Sequence, residues 1–398
     1  MDKKIIFKEH INYLKKETTK RLRIVKVIGG RSKIGSRKTI TTIGKSLIVS
    51  KLEYGIEIVS RAGLEEFDEL SAKYNSIIRL ASGAFCTSPT QSMLVEAGEL
   101  PFRHIITQSL VSRAINHQEK CTNEMNIMMR ANNWFKSLTN CDLPNVAPLL
   151  RSGDRFWNDP EPTIDWSIKN VVNAGDNKTK VLAVFNDRIN NKYRNYQQIY
   201  TDGSVADDHV GIGIFSDNRE ENYQLPALCS IFSAEAAALI QATDSIVTDS
   251  NIRTVVFTDS ASVLMAIEKG KNKHPWIQQI EKNSINKRIV YCWIPGHCGI
   301  RGNESADRLA NTGRQAELRN IKIPSQDIVR YVKRTLRIEW EKTWLAIREN
   351  FTRRIKNTTF PWIDNEKRQY QRCLTRLRIG HTNVTHCYRV NRNDPPIC

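Results

Sequence analysis

Apolar residues recur every three to four positions through residues 5–30 and 37–60, with Ile11, Leu14 and Leu22 on one stripe. That spacing predicts amphipathic helices. The helical style continues over 64–83 and 101–118. Between Asn140 and Asn191 the periodicity fades and prolines stand at 144, 148, 160 and 162, which reads as a linker. The period then shortens. QQIYTDGSV, HVGIGIFSD and NYQLPALCSI run from Gln197 to Ile231 as three strand-like stretches with short connections, which predicts antiparallel pairing. SAEAAALIQATDSIV predicts a long helix, RTVVFTDS a buried strand, ASVLMAIEKG a short helix closed by Gly270, RIVYCWIPG a strand and NESADRLANTG a last helix. The order is βββαβαβα, with one more helix near 274–285, and describes an α/β domain with an antiparallel set and two later crossover strands. Beyond it, 325–380 looks helical and is rich in Arg and Trp.

Charge sharpens this division. The 398 residues carry a formal net charge of +18, an excess that points to a polyanionic partner, most simply nucleic acid. It is unevenly placed. Residues 1–51 hold 15 Lys/Arg against 3 Asp/Glu, residues 317–398 hold 18 against 8, and the centre, 196–315, holds 11 against 14. A slightly acidic core between two cationic arms fits a carboxylate site flanked by segments that grip a phosphate backbone; plain solvated helices are the alternative. The nine cysteines are odd in number and form no CxxC pair. This argues against a disulfide framework or a complete zinc site and fits a reducing compartment. We expect an intracellular protein of nucleus or cytoplasm, neither secreted nor membrane-inserted, because no leader and no long apolar span is visible. The oligomeric state is not legible.

Four acids fall at element ends: Asp202 after the first strand of the centre, Glu235 in the first turn of the long helix, Asp259 after VVFT, and Asp307 early in the last helix. Open sheets form sites beyond the carboxyl ends of their strands. Parallel first and fourth strands would bring Asp202 and Asp259 side by side. Gathered carboxylates repel one another unless a cation intervenes. Hard oxygen ligands suit Mg2+ or Mn2+, and two such ions form a clamp for in-line phosphoryl displacement. Each acid also has an ordinary reading: Asp202 as a turn residue before Gly203, Glu235 and Asp259 as helix caps, Asp307 and Glu304 as solvated helix positions. His297 lies in WIPGHCGIRGNESADRLA on a segment punctuated by Gly299 and Gly302, where a mobile histidine could carry a proton.

YTDGS, SAEAAAL, FTDSASV and WIPGHCGIRGNESADRLA together resemble the four motifs of type 1 ribonuclease H, in order and spacing across about 120 residues. The resemblance is to the ribonuclease H domain attached to reverse transcriptases of non-LTR retrotransposons. It implies a mixed five-stranded sheet flanked by helices, with mainly helical N- and C-terminal arms. It implies metal ligation by Asp202, Glu235, Asp259 and Asp307, an assisting role for His297 in activating water or releasing product, and an outer-shell place for Glu304. Asn303, Gly203, Ser204 and Ser260 would touch the substrate. The substrate would be the RNA strand of an RNA–DNA hybrid, the cofactor Mg2+ or Mn2+ as two ions.

The flanks are similar to the same family. HINYLKKETTKRLRIVKVIGG and KTITTIGKSLIVSKLEYG resemble the thumb that follows a polymerase palm, ASGAFCTSPTQSMLVEAGELP the connection, and RLRIGHTNVTHCYRVNRNDPPIC the segment leading to a Cys/His cluster, of which the first ligand is present. The expected division is 1–135 thumb and connection, 136–192 linker, 193–317 nuclease and 318–398 basic helical region. No polymerase motif is present; Asp207-Asp208 follows Val205-Ala206 in a hairpin turn. The expected activity is endonucleolytic cleavage of hybrids, and the alternative is a catalytically idle nucleic-acid-binding remnant. An integrase or transposase of related fold would need a different acidic set.

Overall fold

A computed structural model describes residues 8–30, 35–119, 125–149, 162–172, 176–247, 251–270, 274–362 and 366–382. The start of the 5–30 helix, much of the proline-rich stretch and the Cys387–Cys398 segment lie outside them. The chain divides into two compact units, one of residues 1–114, 124–143 and 332–398, the other of 115–123 and 144–331.

The second unit is built on a mixed sheet. Its strands are β1 (Thr163–Asp165), β2 (Gln197–Ala206), β3 (His209–Ser216), β4 (Arg219–Leu225), β5 (Thr254–Thr258) and β6 (Ile289–Trp293), in the order β1-β6-β5-β2-β3-β4. β2, β5, β6 and β1 run parallel, β3 pairs antiparallel with β2, and β4 pairs antiparallel with β3. Every residue of β5 is buried, as expected of a strand in the parallel part of a sheet covered on both faces. The β2–β3 hairpin closes through Asp207 and Asp208, with φ of 47° and 61°. Two successive left-handed residues define the primed turn that matches strand twist. Helices Ile231–Asp244, Ala261–Lys269, Pro275–Asn283 and Arg301–Gly313 complete the expected set.

The sheet has six strands where five were expected. The sixth, β1, comes from the stretch read as a linker, pairing Ile164 with Tyr291 and Asp165 with Cys292. Helix Lys178–Arg188 follows and buries Val181 and Phe185 in a core shared with Tyr193, Tyr200, Phe257 and Cys292. This segment is thus integral to the unit. Its fastening is ionic. Buried Asp165 accepts from Ser167 N at 2.8 Å, Lys192 Nζ at 2.9 Å, Arg188 Nη2 at 3.2 Å and the Tyr193 hydroxyl. These donors overcome the cost of its burial and hold its carboxyl well below the usual carboxylate range.

The first unit is helical. Helices Lys8–Gly30 and Leu64–Ser82 supply buried Ile11, Leu14, Leu70 and Ile77. The expected 37–60 helix is segmented: Arg37–Gly44 passes through a wider π-turn at Lys45–Val49, and Gly55 separates Ser50–Tyr54 from Ile56–Val59. Fully buried Glu96 ties distant parts of the chain together. It pairs with Arg37 at 3.3 Å and Arg378 at 3.0 Å and accepts from Trp362 Nε1 at 2.7 Å. Arg376 donates to the Gly83 carbonyl at 3.0 Å, and Arg368 to the Ala81 and Leu80 carbonyls. The expected N- and C-terminal arms therefore share one unit. Several of their arginines serve its interior, so the cationic excess overstates what remains for a ligand.

Candidate active site

β2 and β5 pair as Thr201↔Thr258, so the next residue on each is a carboxylate. Asp202 and Asp259 emerge side by side, as expected for parallel neighbours. The third acid arrives from above. Helix Ile231–Asp244 is capped by Ser230, which accepts from Ser233 N at 3.1 Å, and Glu235 lies one turn in. Gly203 makes this approach possible, since a Cβ there would sit 2.7 Å from Glu235 N. The carboxylates of Asp202, Glu235 and Asp259 each offer an oxygen within 4.8 Å of the other two.

The cluster is electrostatically costly. Burial, then the charges of Asp259 and Asp307, push the Asp202 carboxyl up to about 8. Burial, then Asp202 and Asp259, raise Glu235 well above its ordinary value, and Glu235 Oε2 has no hydrogen-bond partner among the described residues. Burial also raises Asp259, opposed by the His297 charge and a hydrogen bond from Asn303. The Gly203 amide favours the ionised forms of Asp202 and Glu235, but the net shift of both is upward. Three hard oxygen donors, mutual repulsion and an orphaned buried carboxylate oxygen fit a divalent cation.

A pH dependence follows. Asp202 has a folded pKa raised above its unfolded value, so the folded state binds the extra proton between about pH 4 and 8. Its contribution to stability is retained below that window and lost as pH rises through it. A cation replaces that proton. The gain in Tm from Mg2+ is expected to grow from pH 5.5 to pH 8, and melting curves with and without Mg2+ measure it. A gain that is constant or larger at pH 5.5 counts against the cluster as the binding site.

The remaining expected residues are distributed around this centre. Asp307 lies outside the mutual 4.8 Å set, yet its charge helps to raise Asp202, and it accepts from Asn311 Nδ2 at 3.1 Å. His297 is exposed at the tip of a turn with φ of 54°. Glu304 stays away from the cluster; its Oε1 accepts from Gly299 N at 2.9 Å and anchors that turn. Asn303 is 2% exposed, helps to lower the Asp259 carboxyl, and has no partner for its Oδ1 among the described residues. Ser260 N donates to Thr258 Oγ1 at 3.1 Å, and its hydroxyl lies 3.3 Å from Ser262 Oγ. Gly203 is buried under the Glu235 helix, and the Ser204 hydroxyl donates to Asn311 Oδ1 at 2.7 Å. The sequence reading missed two neighbours. The Trp293 indole donates to the Asp259 carbonyl at 3.0 Å, and Asn311 touches Asp307. Only the i, i+4 spacing of Asp307 and Asn311 could have pointed to the latter.

Residues 194–315 match the RNase H family. Ribonuclease H1 of Homo sapiens is 29% identical over 139 residues, covering 29% of this chain and 49% of that protein. The Ribonuclease H1 proteins of Rattus norvegicus and Mus musculus match with the same identity and coverage. The chain spans about half the length of these curated relatives. The matched segment contains every acid of the cluster, and the mixed α/β sheet flanked by helices around it is consistent with an RNase H-like fold.

Proposed function

We propose that the second unit cleaves the RNA strand of RNA–DNA hybrids by metal-dependent endonucleolytic hydrolysis. The observation that carries this reading is the Asp202–Glu235–Asp259 cluster, gathered from the middle of β2, the Ile231–Asp244 helix and the end of β5, within a segment that matches RNase H. A pair of Mg2+ or Mn2+ ions, when bound by these three with Asp307 at the edge, supplies charge neutralisation and an activated water. The chain's own groups do the rest. Asp202, Glu235 and Asp259 would hold the ions through their carboxylate oxygens. Asn303 steadies the Asp259 carboxylate. His297, exposed on its turn, receives a proton from the attacking water or assists product departure. Ser260, half-exposed beside Asp259, is the best placed of the expected substrate contacts. Discrimination for RNA rests on its 2′-hydroxyls, displayed in a wide minor groove, and affinity rests on phosphates.

The wider reading is that the chain derives from the reverse transcriptase of a non-LTR retrotransposon. The thumb- and connection-like sequences support it. In that setting the basic surface left over on the helical unit would hold nucleic acid. Incubation of the full chain with an end-labelled hybrid, duplex RNA and duplex DNA, with Mg2+ or with chelator, tests the activity. Cleavage confined to the RNA strand of the hybrid and dependent on Mg2+ is expected. No cleavage of hybrid beside retained binding would leave the idle remnant as the correct reading.

A further inference from the structure

β2 and helix Arg301–Gly313 meet through two matched pairs of polar residues. Asp202 and Ser204 are two apart on a strand, so they share a face and stand roughly 6.6 Å from each other along it. Asp307 and Asn311 are four apart on a helix, so they share a face and stand about 6 Å apart along its axis. The spacings nearly coincide, so the two pairs face each other. Ser204 Oγ donates to Asn311 Oδ1 at 2.7 Å, and Asp202 feels the Asp307 charge. The neighbouring strand clears the way. Gly213 is the register partner of Asp202 and Gly211 that of Ser204. A Cβ at Gly211 would sit 2.5 Å from Arg314 N, and one at Gly213 2.8 Å from the Leu309 side chain. The helix therefore rests directly over these two positions.

The direction of the hydrogen bonds is fixed by chemistry. An ionised carboxylate only accepts, so Asn311 must turn its NH2 toward Asp307, at 3.1 Å. Its carbonyl oxygen is then left for a donor, which the Ser204 hydroxyl provides. Neither Ser204 nor Asn311 is exposed.

We propose that Asn311, oriented by Ser204, is a positioning residue for Asp307. With Oδ1 engaged, the Asp307 carboxylate cannot rotate without breaking the bond to Asn311, and the strand fixes Asn311 in turn. Asp307 stands outside the tight three-acid set, so its aim depends on this relay more than on its neighbours in the cluster. The assignment rests on the metal-dependent nuclease reading. It deepens that reading by giving Ser204 a task inside the protein in place of the expected substrate contact.

The test is Mn2+ binding to the full chain by calorimetry, which needs no turnover, with hybrid cleavage run in parallel. Asn311→Leu removes the donor at similar size and is expected to weaken Mn2+ binding about 10-fold, the lower end for partners that orient metal ligands. Ser204→Ala should weaken it less and Ser204→Thr, which keeps the hydroxyl, should restore it. In an Asp307→Asn background Asn311→Leu should cost nothing further. Leu favours helix more than Asn does, so an unchanged Tm separates lost aim from lost fold. Wild-type affinity in Asn311→Leu, or an undiminished loss in the Asp307→Asn background, overturns the relay. Wild-type chain that binds Mn2+ without cleaving hybrid overturns only the nuclease reading; wild-type chain that binds no Mn2+ overturns both.

Discussion

Asp259→Asn is expected to lower hybrid cleavage by ~10³-fold or more while the protein stays folded. The substitution keeps size and removes one of three charges that converge within 4.8 Å. Losing several kcal/mol of charge stabilisation at a metal-assisted centre corresponds to that loss, at about 1.4 kcal/mol per decade. Without a cation the variant should be at least as stable as the parent at pH 8, because Asp259 is one of the charges that raise Asp202 and Glu235. Single-turnover cleavage and melting curves measure the two effects. Parental activity in the variant would remove the cluster from the mechanism, and an unfolded variant would mean that Asp259 holds the sheet end together.

Asp165→Ala is expected to destabilise the second unit by about 3 kcal/mol. Removing one member of a buried ion pair costs about 3–5 kcal/mol, but the side chains of Arg188 and Lys192 are 31% and 41% exposed. Their charges can be solvated, which reduces that figure. Tyr193, fully buried, would lose an acceptor for its hydroxyl, at about 1–3 kcal/mol. Asp165→Asn keeps an acceptor and should lose less. The depressed pKa adds a pH signature. The carboxylate's contribution is complete above the ordinary carboxylate range and is lost as pH falls below it, so parent and Asp165→Ala should converge in stability toward low pH. Urea unfolding at pH 7 and pH 3 measures this. A loss under 1 kcal/mol at pH 7 would show that the apolar contacts of Phe185 and Val181 hold this segment unaided. It follows that a nuclease fragment cut at about residue 190 lacks β1 and the helix that packs beside it; one begun near 162 keeps both.

What could be read from sequence alone was whatever repeats with a short period or depends on residue type at fixed spacing. The order of strands and helices from Gln197 to Gly313 was of this kind, because alternation and capping act over a few residues. So was the meeting of Asp202 and Asp259, since parallel pairing in register brings matched positions together; Asp202, expected at a strand end, instead sits in the middle of β2, because β2 runs on to Ala206 against β3. What depends on long-range packing was hidden. β1 has three residues, too few to show a period, and its anchor is a single aspartate whose side-chain partners Arg188, Lys192 and Tyr193 lie 23 to 28 positions away. The joining of residues 37, 96 and 378 around Glu96 is likewise invisible, because a buried ion pair leaves no mark on the charge count of either segment. Ser204 looked like a substrate contact, and Asp307 like a metal ligand or a solvated helix position. Only the descent of one helix onto the glycines of β3 joined them through Asn311, because a strand step of two and a helix step of four span nearly the same length and set the two pairs face to face.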